Sequence, residues 1–164
     1  MKKYLVLLCM VLALALAICV YSYSKVVADQ NSDDSSPKTV AKPRSGTILS
    51  GKEYSGSEIT VKADSSSDCV VSLKDRYGTV FLAFYVRAGD TVTVGVPDKV
   101  LYVYFASGKK WYGYGKGLMF GKNTAYSKDD EPCDFTEYSW TYTLQPVSNG
   151  NFSEKPCSEN EFFE

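Results

Sequence analysis

The sequence predicts an all-β chain, an antiparallel β-sandwich or small barrel of about seven short strands, preceded by an N-terminal membrane-targeting helix. Three observations carry this. Apolar residues alternate with a period of two through most of the chain after residue 58, turn residues separate the runs at about 8 to 12 residue spacing, and nothing there reads as a long amphipathic helix. The densest stretch is Thr79 to Ser107, which reads as a meander of three antiparallel strands. Val80, Leu82, Phe84 and Val86 share one face, and Val92, Val94, Val96, then Leu101, Val103 and Phe105, repeat the period. Ala88-Gly89-Asp90 and Pro97-Asp98-Lys99 supply tight-turn residues between them. The opposite face, with Phe81, Ala83, Tyr85, Tyr102, Tyr104 and Ala106, is rich in aromatics and needs a cover.

Taken in order, Met1-Lys2-Lys3 is followed by apolar residues from Tyr4 to Tyr21, with no further charge until Lys25. A run of roughly 17 to 18 apolar residues is long for a signal-peptide core and at the lower limit for a spanning helix. Residues 1–25 are therefore a signal peptide or an N-terminal membrane anchor. No clean Ala-x-Ala cleavage site follows, which favours the uncleaved anchor, with the N-terminus cytoplasmic and the rest extracytoplasmic. Leu16-Ala17-Ile18-Cys19 looks like a lipoprotein box, but Ile18 stands where such boxes need a small residue. Residues 26–57 are rich in Ser, Asp, Lys and Pro and poor in large apolar side chains, the composition of a disordered tether. Thr47-Ile48-Leu49 is its only apolar patch and a candidate edge strand.

The β-domain is expected over 58–164. Ile59 and Val61 form one strand, Cys69 to Leu73 a second, and the meander follows. Residues 108–135 are rich in Gly and aromatics and show no regular period, and such long connections are usually functional or partly disordered. Tyr138 to Val147 returns to alternation, with Trp140, Tyr142 and Leu144 on one face. The tail ends in Phe162-Phe163-Glu164, a frayed end or an aromatic plug. Asn151-Phe152-Ser153 matches a glycosylation acceptor, relevant only in a eukaryotic secretory pathway.

Charge and composition exclude several functions. From Asp29 onward fifteen basic residues face nineteen acidic ones, a formal charge of −4 without a basic stripe. Nucleic acid is not the expected partner. The chain has no histidine, which removes the commonest general base, the Ser-His and Cys-His pairs and the usual zinc ligand. No cofactor is implied.

Three cysteines follow the apolar run. Cys69 is in phase with Val71 and Leu73 and reads as a small buried hydrophobe. Cys133 and Cys157 then remain for a disulfide, closing a loop of about 25 residues and contributing on the order of 3 kcal/mol in the loop-entropy model. Asp129, Asp130, Glu131 and Asp134 are a weak calcium candidate, because the Asp-x-Asp-x-Asp-Gly spacing is missing and a solvated acidic turn fits as well. Trp111, Tyr112, Tyr114 and Tyr126, with Lys109 and Lys110, form a basic-aromatic ligand-binding candidate. The competing reading is that these rings fold back over the aromatic face of the sheet.

Phe84 to Asp90 (FYVRAGD), Phe105 to Trp111 (FASGKKW), Ala125 to Asp130 (AYSKDD) and Thr143 to Val147 (TLQPV) carry a resemblance. Over roughly 58–164 the chain resembles an uncharacterised group of small bacterial secreted or membrane-anchored β-domain proteins. The chain departs from that pattern at Lys110, where an acidic residue is expected, and at Cys133, where an aromatic or aliphatic one is. The resemblance implies a small β-domain at the cell envelope and no particular chemistry. The expected function is a non-enzymatic extracytoplasmic binding or interaction module, engaging an envelope polymer or protein partner through the aromatic loop. The alternative is a structural or assembly protein that pairs through a sheet edge or its C-terminal tail.

Overall fold

Alternating β-branched and aromatic residues place ten strands in the computed structural model, which describes residues 37–144 and 154–164. They are β1 (Ile48–Gly51), β2 (Glu58–Lys62), β3 (Asp68–Lys74), β4 (Val80–Val86), β5 (Thr91–Gly95), β6 (Val100–Gly108), β7 (Ala125–Asp129), β8 (Cys133–Asp134), β9 (Trp140–Thr143) and β10 (Glu154–Pro156), followed by a one-turn helix α1 (Glu159–Phe163). The fold is mostly β, with no closed barrel. A seven-stranded antiparallel sheet runs β1-β4-β3-β6-β7-β10, with β8 also paired to β6, and a three-stranded sheet runs β5-β2-β9. In the small sheet β2 pairs antiparallel with β5 and parallel with β9.

The two sheets share one core. Val71, Leu73, Leu82, Phe84, Val103 and Phe105 of the large sheet lie in one buried cluster with Ile59, Val61, Val92, Val94 and Tyr142 of the small one. This corrects the meander. β4 pairs with β1 and β3, β6 pairs with β3, and β5 lies in the other sheet beside β2. The turn at Ala88-Gly89-Asp90 exists, with Gly89 at φ +78° and the Asp90 N–H bonded to Arg87 O at 3.0 Å, and Pro97-Asp98-Lys99 contains a bend, but both connections carry the chain from sheet to sheet. Strands on either side of a common core show the same period of two, so periodicity could not separate them.

The compact unit takes in Pro37, so the boundary expected at 58 falls inside it. Residues 37–47 are strapped to β4 and its turn. Val40 N–H donates to Trp111 O at 3.0 Å, Gly46 N–H to Tyr85 O at 2.8 Å, and Tyr85 N–H to Thr47 O at 3.0 Å. The Arg87 guanidinium donates to the carbonyls of Pro43 (2.8 Å) and Lys42 (3.0 Å), and the Ser45 hydroxyl donates to Asp90 at 2.5 Å. These polar residues are ordered by hydrogen bonds to the folded sheet instead of by apolar burial, the one resource that composition measures. Ile48 opens β1 at the sheet edge, as the apolar patch suggested.

Among the described residues no helix is long and apolar enough to cross a membrane. The expected N-terminal helix, its anchor or signal-peptide role, and the glycosylation acceptor lie outside the described residues.

Candidate functional site

The outer face of the large sheet carries a second apolar cluster. Val70, Tyr85 and Ala106 project from it and are covered by Trp111, Met119, Phe120 and Phe162, all buried, with Tyr104, Tyr114, Tyr126 and Phe163 packed around them. Trp111 is 4 % exposed, and its ring meets that of Tyr85 edge-on at 5.0 Å and that of Phe120 at 5.3 Å. Gly108 makes this possible, because a Cβ there would stand 2.3 Å from the Phe120 side chain. The aromatic loop is therefore a cover. Tyr112 and Tyr114 are half-buried, Tyr114 against Phe163, and the Tyr126 hydroxyl donates to Glu159 at 2.9 Å. Lys109 and Lys110 are exposed.

Phe81 departs from the face expected for it. The β3–β4 ladder shifts register between Leu73 and Lys74, and Phe81 packs against the first core with the Lys99 ammonium 4.5 Å from its ring centre.

The tail is a plug, as one of the two readings had it. Ser158 caps α1 in a capping box with Glu161, and Phe162 seats in the outer cluster 5.5 Å from the Tyr126 ring. Lys128 pairs with Glu161 at 3.0 Å and Lys116 with Glu164 at 2.7 Å. Gly78, at φ +84°, admits the chain end, since a Cβ would stand 1.9 Å from Glu164 O.

No bridge joins Cys133 and Cys157, which correct the expected disulfide by lying on opposite faces of the large sheet. Cys133 is in the inter-sheet core, 2.7 Å from the Tyr142 hydroxyl, which itself donates to Asp129 at 2.6 Å. Cys157 follows β10 on the outer side, within electrostatic reach of Lys74, Lys128 and Glu161. Cys69 is buried as its phase predicted. Burial raises the Cys69 and Cys133 thiols, Cys133 to about 11. On the native chain, an alkylating reagent at neutral pH is expected to label Cys157 slowly and to spare Cys69 and Cys133. After denaturation without reductant all three should react, and a linked peptide holding Cys133 and Cys157 would contradict this arrangement.

The acidic candidates are also dispersed. Asp129 is buried against Tyr142, Asp130 pairs with Lys155, and Asp134 accepts from the Thr136 N–H (2.9 Å) and hydroxyl (2.6 Å). Among the described residues no group of three acidic, Cys or His side chains is placed to hold a metal ion.

Four elements do converge elsewhere. The β3–β4 turn (Asp75 to Gly78), β6 (Tyr102 and Tyr104), the end of β7 (Lys128 to Asp130) and α1 (Asn160, Glu161, with Glu164) line an open groove of about 420 Å³. Asp75 builds its rim by accepting the N–H groups of Tyr77 (2.8 Å) and Thr79 (3.0 Å), an Asx-type turn that leaves Tyr77 84 % exposed. Behind the groove lies Lys74, 1 % exposed, its ammonium donating to Glu161 O and standing 4.1 Å from the Tyr104 ring centre. Sequence reading passed over Lys74 because a polar end residue of a strand normally faces water. The exposed aromatic at a turn, Tyr77, was the one available signal for the rim.

Burial pulls Lys74 down from 10.5 to about 8, against the opposing pull of Cys157 and Glu161. A lysine of lowered pKa is a cost while charged, and the cost is relieved as pH rises from about 8 to 10.5, a window worth on the order of 3 kcal/mol. Lys74→Met should therefore keep or raise the melting midpoint at pH 7 and flatten the alkaline gain of the wild type. Melting curves of the two chains between pH 7 and 10.5 check this.

Compared with known proteins, the chain matches no family model, no curated protein and no solved structure.

Proposed function

We propose that the chain is a non-enzymatic extracytoplasmic β-sandwich module, held at a bacterial envelope by its N-terminal apolar segment, that binds an envelope component in the groove between Tyr77, Tyr102 and α1. Envelope placement rests on the charged start and apolar run of residues 1–25 and on the likeness to small secreted or anchored domains. The observation that carries the binding role is the groove itself. It sets tyrosine rings and charged side chains from four elements around one opening, as ligand sites do. The aromatic loop is occupied in packing, so the contact surface moves from Trp111 to Tyr77.

Tyr77 is the discriminating position because its ring is exposed and its loss should cost the fold little. Full-length Tyr77→Ala in detergent is expected to lose about tenfold in retention on a sedimented envelope fraction, with its melting midpoint nearly unchanged. Undiminished retention would sink this reading. The assembly alternative is weakened on one side, since Phe162 of the tail is buried within its own chain.

A further inference from the structure

The carboxylates of the groove are all engaged. Asp75 accepts two backbone N–H groups, Asp129 the Tyr142 hydroxyl, and Asp130, Glu161 and Glu164 pair with Lys155, Lys128 and Lys116. Lys116 and Lys155, the partners of Glu164 and Asp130, are themselves exposed, and the Asp129 carboxylate is turned to Tyr142 of the inter-sheet core. A polycation reaching Asp130, Glu161 or Glu164, or a polyanion reaching their lysines, would compete with an existing pair.

What the groove still offers is neutral-ligand chemistry. Tyr77 and Tyr102 line the groove, the Tyr77 ring with the Arg76 guanidinium 5.9 Å from its centre, paired carboxylates keep lone pairs for further hydroxyl donors, and Arg76 and Asn160 are exposed donors. Resting on the binding role argued above, we infer that the groove takes a neutral saccharide. One apolar ring face lies on tyrosine, and the hydroxyls bond to the carboxylates, Asn160 and Arg76. An opening of about 420 Å³ falls within the usual size of a small-ligand site.

The test uses the full-length chain in detergent on an array of neutral oligosaccharides that includes chitotetraose, cellotetraose and maltotetraose, with oligolysine and polyphosphate as charged probes. Retention on the envelope fraction is measured in parallel. The expected result is binding to at least one neutral oligosaccharide, insensitive to added salt and reduced about tenfold by both Tyr77→Ala and Asn160→Ala. If the envelope fraction retains the chain through Tyr77 while only the charged probes, or none of the array, bind, the saccharide inference is overturned and the binding role stands. If the envelope fraction does not retain the chain either, both fall. Saccharide binding unaffected by both substitutions also overturns the inference, because it places the sugar elsewhere.

Discussion

Trp111→Ala is expected to lower the melting midpoint by on the order of 10 °C, a loss of about 3–5 kcal/mol. The ring is 4 % exposed and joins Tyr85, Phe120 and Met119 in the outer cluster, and the carbonyl of the same residue accepts the Val40 N–H that holds the N-terminal strap. Truncation opens a cavity that the sheet beneath cannot close, because Val70, Tyr85 and Ala106 are fixed by the strand ladders. A ligand platform would behave in the opposite way, losing binding while the melt held. Thermal unfolding of the purified full-length variant decides between them.

The second large effect is expected at Asp68. It is 3 % exposed and accepts the Tyr85 hydroxyl at 2.8 Å, the Ala88 N–H at 2.9 Å and the Lys42 ammonium at 2.5 Å. Asp68→Ala leaves the buried Tyr85 hydroxyl without its acceptor and frees the strap, at a cost of about 2–4 kcal/mol. Lys42 is 43 % exposed and returns to water, which keeps the loss below that of a fully buried pair. Burial pushes the Asp68 carboxyl up, but Lys42, the Ala88 N–H and the Tyr85 hydroxyl outweigh it and hold it below 3.8. A group of lowered pKa contributes stability that is present above its unfolded value and lost as pH falls through the folded one. As pH falls below about 3.8 the wild type should therefore lose stability faster than Asp68→Asn, with melting curves on both sides of that pH as the check.

Much of the layout was legible because the inter-sheet core obeys the period of two. Leu82, Phe84, Val86, Val92, Val94, Val96, Leu101, Val103 and Phe105 are buried as their phase required. Sheet membership was not legible, since a residue facing a shared core has the same pattern from either side. The hydrogen-bonded segments were missed for a different reason. Residues 37–47 and the polar strand β7 are secured by Arg87, Asp68, Asp90 and the β6 ladder, which no local composition announces. Seen in the fold, the FYVRAGD stretch is largely a clasp. Tyr85, Arg87, Ala88 and Asp90 each bond the strap or the Asp68 that holds it. AYSKDD does the same for the C-terminal plug through Tyr126, Lys128 and Asp130. The groove was hidden because its walls come from residues 75–78, 102–104, 128–130 and 160–164, which only the folded sheet brings together.

The separation of a packed aromatic cover from an open tyrosine-edged groove is the central claim, and hydrogen exchange of the full-length chain with and without solubilised envelope material tests it most directly. The account predicts added protection around Asp75 to Gly78, Tyr102 to Tyr104 and α1, with residues 109–116 unchanged. Protection confined to 109–116, with the groove unaffected, would contradict it.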